Sequence, residues 1–282
     1  MLNLTVIVGL TLFILGAMLG SFTGALVWRL KNKKDWIKGR SECESCGHQL
    51  SPSDLVPIFS WLFLRGRCRY CHKKIGFTPV ILELVGGTAF LVSFLFLPFS
   101  ASNQGNFLDF DRLIYLTLWL AVVIIMLILA TYDYRYHLLP NKLVLIFCIF
   151  GLNFSLAKYF VADGANIGNS FGDYLAYIGL GLIPITGVYG LIWLVSGGKL
   201  IGLGDVKLGV AIGLIVSFWG GVLVLGLSNL LAAVAVMPSL VLKKHRLNSR
   251  IAFGPYLLLA TFLLVVFSNV ISKFIFNMGF NF

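Results

Sequence analysis

The sequence predicts an all-α polytopic membrane protein, with about eight transmembrane helices and a cytoplasmic zinc-binding loop. Three observations predict it. Hydrophobic residues make up 59% of the chain and charged ones only 12%, about half the charged share of a soluble domain. The charges are gathered between long apolar runs. Four of the five cysteines form two C-x-x-C pairs in the most basic of these charged stretches.

The first apolar run reaches from Met1 to Trp28 without a charge. No basic residue precedes it, and it outlasts the core of a signal peptide, so it reads as a retained helix. The second run lies between Glu83 and Asp109, the third between Arg112 and Asp133. A fourth starts after Lys142 and passes Lys158, whose long side chain can reach the interface. The fifth lies between Asp173 and Lys199. From Lys207 to Lys243 there are 35 uncharged residues, too many for one helix of about 20. Trp219-Gly220-Gly221 is read as the turn between a short sixth helix and a seventh. The eighth lies between Arg250 and Lys273. Residues 1–28 are thus a first transmembrane helix, 29–79 a cysteine-bearing loop, and 80–282 a helical membrane core.

Eight spans put residues 29–79, 133–142, 199–207 and 243–250 on one side. Those stretches hold 19 of the 22 Lys and Arg residues, leaving Arg112, Lys158 and Lys273 opposite. The positive-inside rule makes the basic side cytoplasmic and places both termini outside. The net charge of +11 is therefore a membrane-facing pattern, suited to an anionic bilayer surface rather than to nucleic acid.

In the loop, Cys43-Glu44-Ser45-Cys46 and Cys68-Arg69-Tyr70-Cys71 are separated by 21 residues. Two hooks at such spacing read as a four-thiolate structural zinc site, Cys43, Cys46, Cys68 and Cys71. Basic neighbours Arg40, Arg67, Arg69 and Lys73 favour thiolates. The competing arrangement is two disulfides, which a cytoplasmic loop disfavours. His48 and His72 are read as solvated positions, and Cys148 as a small apolar residue within a span.

Two aspartates end apolar runs on the same face. Asp205 closes Gly202-Leu203-Gly204-Asp205, where the glycines allow a tight turn and close approach of another chain. Asp133 follows Tyr132, and Leu139-Pro140-Asn141 opens the next helix. An acidic residue at a membrane boundary costs enough to be kept for a task. The plain alternatives are a helix-capping Asp205 and an Asp133 paired with Arg135 or Lys142. If the two carboxylates meet, one keeps a proton near neutral pH while the other ionises. The ionised one can then take a proton from water, and the protonated one can donate to a scissile carbonyl oxygen.

These residues resemble the type IV prepilin peptidase family, whose members are GxGD-type aspartic peptidases. The resemblance runs through Gly20-Ser21-Phe22 to Arg29-Leu30, and through the loop with Pro57, Ser60-Trp61 and Arg65-Gly66-Arg67-Cys68. It continues at Glu83-Leu84, at Asp133 with Leu139-Pro140, at Gly202 to Leu208, and at Phe253-Gly254-Pro255-Tyr256. Asn141 stands where the family has Asp. The resemblance implies cleavage of the short basic leader of type IV prepilins or pseudopilins at the cytoplasmic membrane face. It implies Asp133 and Asp205 as the catalytic pair, with Gly202 and Gly204 supporting the turn. It implies the four cysteines as a zinc site. Many such enzymes also N-methylate the new terminus with S-adenosylmethionine, and Glu83 is the candidate for orienting that amine. The plain alternative for Glu83 is a helix-start acid or a partner for Lys73 or Lys74.

Other readings explain less. Presenilin-like peptidases share the two aspartate motifs but give no reason for the cysteine loop. An ion-coupled transporter using the carboxylates as a proton relay expects related halves with broken helices at mid-membrane, and the sequence has no such repeat. A non-enzymatic scaffold leaves the paired aspartates unexplained.

Overall fold

The computed structural model describes residues 2–35, 39–97, 110–161, 170–241 and 252–276. Asp109, Lys243, Lys244 and Arg250, which bound expected spans, lie outside the described residues. So does the whole basic stretch 243–250. Among the described residues the chain is helical, and its only β pairings are two isolated bridges in the cysteine loop. It divides into two compact units, Met1–Leu95 and Phe96–Phe282.

The first unit holds α1 (Leu2–Lys31), a short 3₁₀ turn (Pro52–Leu55), α2 (Phe59–Phe63) and most of α3 (Thr78–Phe96). α1 and α3 meet through glycine. A Cβ on Gly16 would lie 2.4 Å from the Gly86 carbonyl oxygen, and one on Gly86 would lie 2.4 Å from that of Gly16. With lipid around them, apolar helices gain little from hiding apolar surface, so bare backbone contact of this kind is what holds such a pair.

The second unit holds α4 (Phe110–Tyr136), α5 (Asn141–Val161), α6 (Phe171–Leu182), α7 (Val188–Ser196), α8 (Leu203–Gly213), α9 (Phe218–Val241), α10 (Gly254–Val266) and α11 (Ser268–Phe276). α4 packs on α5 and α10, while α8 is surrounded by α5, α6, α7 and α10. Fully buried Trp119 of α4 packs tilted against Phe154 of α5 with ring centroids 5.0 Å apart. The Tyr174 hydroxyl of α6 donates to the Ser155 carbonyl at 2.7 Å, satisfying a buried polar tip. Between α6 and α7 the backbone widens into one π-helical turn, Ile183–Gly187. Pro184 lies in it, and a missing N–H is a common reason for a helix to leave its regular ladder.

Among the described residues, six helical stretches are long and apolar enough to cross a membrane: Leu4–Lys31, Thr78–Phe96, Phe110–Tyr136, Asn141–Phe160, Phe171–Ser196 and Phe218–Met237. They correspond to the first five expected spans and the seventh. α8 and α10, with 11 and 13 residues, stand where the expected sixth and eighth spans lie and are shorter than a full crossing. The turn before α9 also differs from expectation. It falls at Leu214–Ser217, and Trp219-Gly220-Gly221 lies inside the first turn of α9. The Ser217 hydroxyl accepts the Gly220 N–H at 3.2 Å, which is an N-cap bond. The glycines are there for packing: a Cβ on Gly221 would lie 3.1 Å from Pro184.

Candidate active site

Asp133 lies in the last turn of α4 and is buried. The alternative, an ion pair with Arg135 or Lys142, is not its bond. Its Oδ2 accepts the backbone N–H of Gly254 at 3.0 Å. Gly254 is the first residue of α10, and Pro255 follows it. A helix N-terminus leaves its first amides unpaired, and a proline at the second position has none to offer. The Gly254 N–H is therefore the free donor, and it is aimed at Asp133. Directly beyond Asp133, His137 adopts a left-handed backbone, φ 52°, and donates its N–H to the Asp133 carbonyl at 2.8 Å, ending the helix.

Asp205 occupies the third position of α8, with Gly202 as N-cap. The Asp205 N–H donates to the Gly202 carbonyl at 3.1 Å, and its carboxylate faces back toward the Gly202 N–H. The capping alternative is thus partly realised, in capping-box fashion. Gly202 has φ −75°, so its backbone needs no left-handed freedom. Gly204 sits against Leu139, where a Cβ would come within 3.1 Å of the Leu139 Cδ1.

α5 and α10 bring the two acids together, and Asp133 and Asp205 lie within electrostatic reach of each other. A tether reinforces this. Lys207 Nζ, two residues after Asp205, donates to the Oδ1 of Asn141 at 2.9 Å, at the head of α5. Asn141 is the position where the resemblance expects Asp. Tyr189 of α7 completes the surroundings: it is buried, lies within electrostatic reach of Asp205, and packs edge-on against Phe253, whose centroid is 5.8 Å away. The sequence reading gave no role to Gly254 or to Tyr189. Phe253-Gly254-Pro255 was a signal for the first, as a helix start. Tyr189, within an apolar run, had none.

In the other unit the four cysteines come together. The Sγ atoms of Cys43, Cys46, Cys68 and Cys71 all lie within 4.8 Å of one another, and those of Cys43 and Cys71 are 3.9 Å apart. None is in a disulfide. Tetrahedral zinc with bonds of about 2.3 Å needs sulfurs about 3.8 Å apart, so the set fits that ion. The hooks are built alike. Gly47 N–H donates to Cys43 O and His72 N–H to Cys68 O, both from left-handed residues, φ 69° and 56°. Burial pushes the Cys43 thiol up, but the Ser45 and Cys46 amides and the Cys46 and Cys68 thiols outweigh it and bring it to about 7. For Cys46 the His48 amide acts downward, yet desolvation and the crowded thiols leave it pushed up to about 11. Four such sulfurs cannot share negative charge without a cation. His48 and His72 are exposed, as expected, and His48 packs tilted against Tyr70.

The second hook is tied to the rest of the loop through Asp54. Its carboxylate accepts from Arg69 Nε at 2.8 Å, from Tyr70 Oη at 3.2 Å and from the Ser51 hydroxyl at 2.8 Å. Burial alone would raise this acid; those bonds hold it below the ordinary carboxylate value. Glu83 then ties the loop to α3. It is the sixth residue of that helix and is buried, and its Oε2 accepts the Ile58 N–H at 2.6 Å. It is neither a first-turn acid nor bonded to Lys73 or Lys74. Ile58 has φ 63°, a costly backbone for a β-branched residue, so the bond fixes a strained turn.

The loop side of this unit also carries a cavity of about 350 Å³, lined by Trp28, Arg29, Lys34, Asp35, Arg40 and Glu42 among others. Cations and acids alternate around it. Within it Lys34 is ion-paired with Glu42. Glu83 is not among the residues that line it.

Residues 14–97 match the bacterial peptidase A24 N-terminal domain, and residues 120–237 match the type IV leader peptidase family. A prepilin leader peptidase/N-methyltransferase of Dickeya chrysanthemi is 30% identical over 276 residues, covering 88% of each chain. The chain belongs to the type IV leader peptidase family. Proteins with the same name from Aeromonas hydrophila and Stutzerimonas stutzeri are 27% and 28% identical, covering 93% and 92% of this chain and 91% and 90% of their own. No solved structure matches the chain. Both aspartates fall inside the segment matched to the leader peptidase family, and the four cysteines and Glu83 fall inside the N-terminal domain match. As a peptidase of this family, the chain carries a four-cysteine cluster able to hold a metal and helices able to cross a membrane.

Proposed function

We propose that this protein is an aspartic endopeptidase that removes the leader from type IV prepilins or pseudopilins at the cytoplasmic face of a bacterial inner membrane. One observation carries the reading: two acids from separate helices lie within electrostatic reach of each other, Asp133 buried and Asp205 half-buried, each served by a helix N-terminal amide. Paired carboxylates share one proton. The ionised one removes a proton from water as the water oxygen bonds to the scissile carbonyl carbon, and the protonated one donates to the carbonyl oxygen. The tetrahedral diol then returns a hydroxyl proton to the second aspartate as its carbonyl re-forms, and the leaving amine takes the proton held by the first as the C–N bond breaks. Membranes containing the protein should shorten a prepilin with a Gly-Phe junction. An intact prepilin after prolonged incubation with folded, inserted protein contradicts the reading.

In this reading the basic loops face the cytoplasm, and α8 and α10 complete eight membrane segments. An impermeant reagent should not reach the loop around Ser53 in intact cells, and labelling there from outside would reverse the orientation. The cysteines hold zinc as a structural ion. The names of the relatives support a second step, methylation of the new amine. S-adenosylmethionine supplies the methyl group when bound. Glu83 would orient the amine. A proton relay in an ion-coupled transporter has no support from the relatives.

A further inference from the structure

The Tyr189 hydroxyl is a buried donor without an acceptor. The residue is 4% exposed and the oxygen makes no hydrogen bond. Leaving such a group unpaired is costly. Ser228 and Asn229 of α9 approach it without reaching hydrogen-bond geometry. Both have turned to their own helix, the Ser228 hydroxyl and the Asn229 amide each donating to the Leu225 carbonyl at 3.0 and 2.8 Å. Three residues earlier, Thr186 in the π-helical turn also has a buried hydroxyl oxygen without a partner, and it faces Gly209 of α8. This side of the helix therefore carries unused polar capacity toward the helix that bears Asp205.

The ring is firmly placed. It packs edge-on against Phe253, and the next residue, Gly254, supplies the N–H that holds Asp133. Tyr189, Gly254, Asp133 and Asp205 thus form one cluster. Resting on the aspartic reading above, we propose that Tyr189 is a further catalytic residue, whose hydroxyl donates a hydrogen bond to the scissile carbonyl oxygen as it gains negative charge. The protonated aspartate supplies one donor to that oxygen and Tyr189 the second. A buried donor already held in place needs little reorganisation when the charge develops, which is how such groups lower a barrier.

The test is steady-state cleavage of a prepilin-type peptide with a Gly-Phe junction by full-length protein in membranes. Tyr189→Phe removes one oxygen and keeps the ring against Phe253. It should lower kcat by about 10²-fold and leave KM within about twofold, the pattern of a bond made only in the transition state. Ser228→Ala should behave as the unaltered protein. An unchanged kcat in Tyr189→Phe overturns the proposal. So does a raised KM with kcat intact, a Tyr189→Phe protein that fails to insert, or a Ser228→Ala variant with the same loss, since each gives the hydroxyl a purely structural or binding role. Asp205→Asn is assayed alongside. If it still cleaves, the aspartic reading itself fails. If it is inactive while Tyr189→Phe is normal, only the role of Tyr189 fails.

Discussion

Gly254 donates its backbone N–H to Asp133 across 121 residues of chain, at 3.0 Å. The contact leaves no room for a side chain: a Cβ at Gly254 would lie 2.6 Å from Oδ2 and 3.3 Å from Cγ. Gly254→Ala should therefore keep the donor but displace the carboxylate. We expect prepilin cleavage to fall by about 10²-fold, the scale of a roughly 1 Å misplacement, with the protein inserted and thermally stable. Near-normal cleavage would show that Asp133 tolerates the shift and is not held to a catalytic geometry there.

The metal prediction follows from the sulfur spacing. Purified under reducing conditions, the protein should carry about one zinc per chain. Cys43→Ser with Cys46→Ser should release it and make the loop more protease-sensitive, while cleavage of prepilin persists in the folded fraction. A protein free of zinc but carrying two intact disulfides would contradict this.

For Glu83 the structure supplies a bond that the sequence did not announce. Glu83→Gln retains an acceptor for the Ile58 N–H and removes only the charge. If the charge orients the new amine, this variant should cleave but leave the product lighter by about one methyl group in mass spectrometry. Glu83→Ala leaves a part-buried N–H unpaired and should loosen the loop by about 1–2 kcal/mol. Normal methylation by Glu83→Gln would assign the residue to the Ile58 turn alone.

What could be read from the chain was whatever depends on a residue's own chemistry. The apolar runs located α1, α3, α4 and α5 because a bilayer sets both their length and their composition. The cysteine hooks announced a cluster because their spacing brings two sulfurs onto each turn. Asp133 and Asp205 were visible as acids at the ends of apolar runs. Partners that depend on long-range packing were not visible. The Gly254 amide, the Asn141–Lys207 tether and the Ile58–Glu83 bond each join segments that only the fold brings together. Tyr189 was hidden for another reason: in an apolar helix its ring reads as core. Local misreading occurred at Trp219-Gly220-Gly221, where glycine signalled a turn. There the glycines admit Pro184, and Ser217 starts the helix.

The central claim is that Asp133 and Asp205 work as one unit. It is tested most directly by the initial rate of leader removal from a Gly-Phe prepilin in membranes. The proteins compared are Asp133→Asn, Asp205→Asn and the double variant, at matched levels of inserted protein. Each single change should lower the rate by at least about 10⁴-fold, and the double should be little worse than either, because residues acting as a unit do not add. Cleavage by either folded single variant at close to the unaltered rate would contradict the aspartic mechanism.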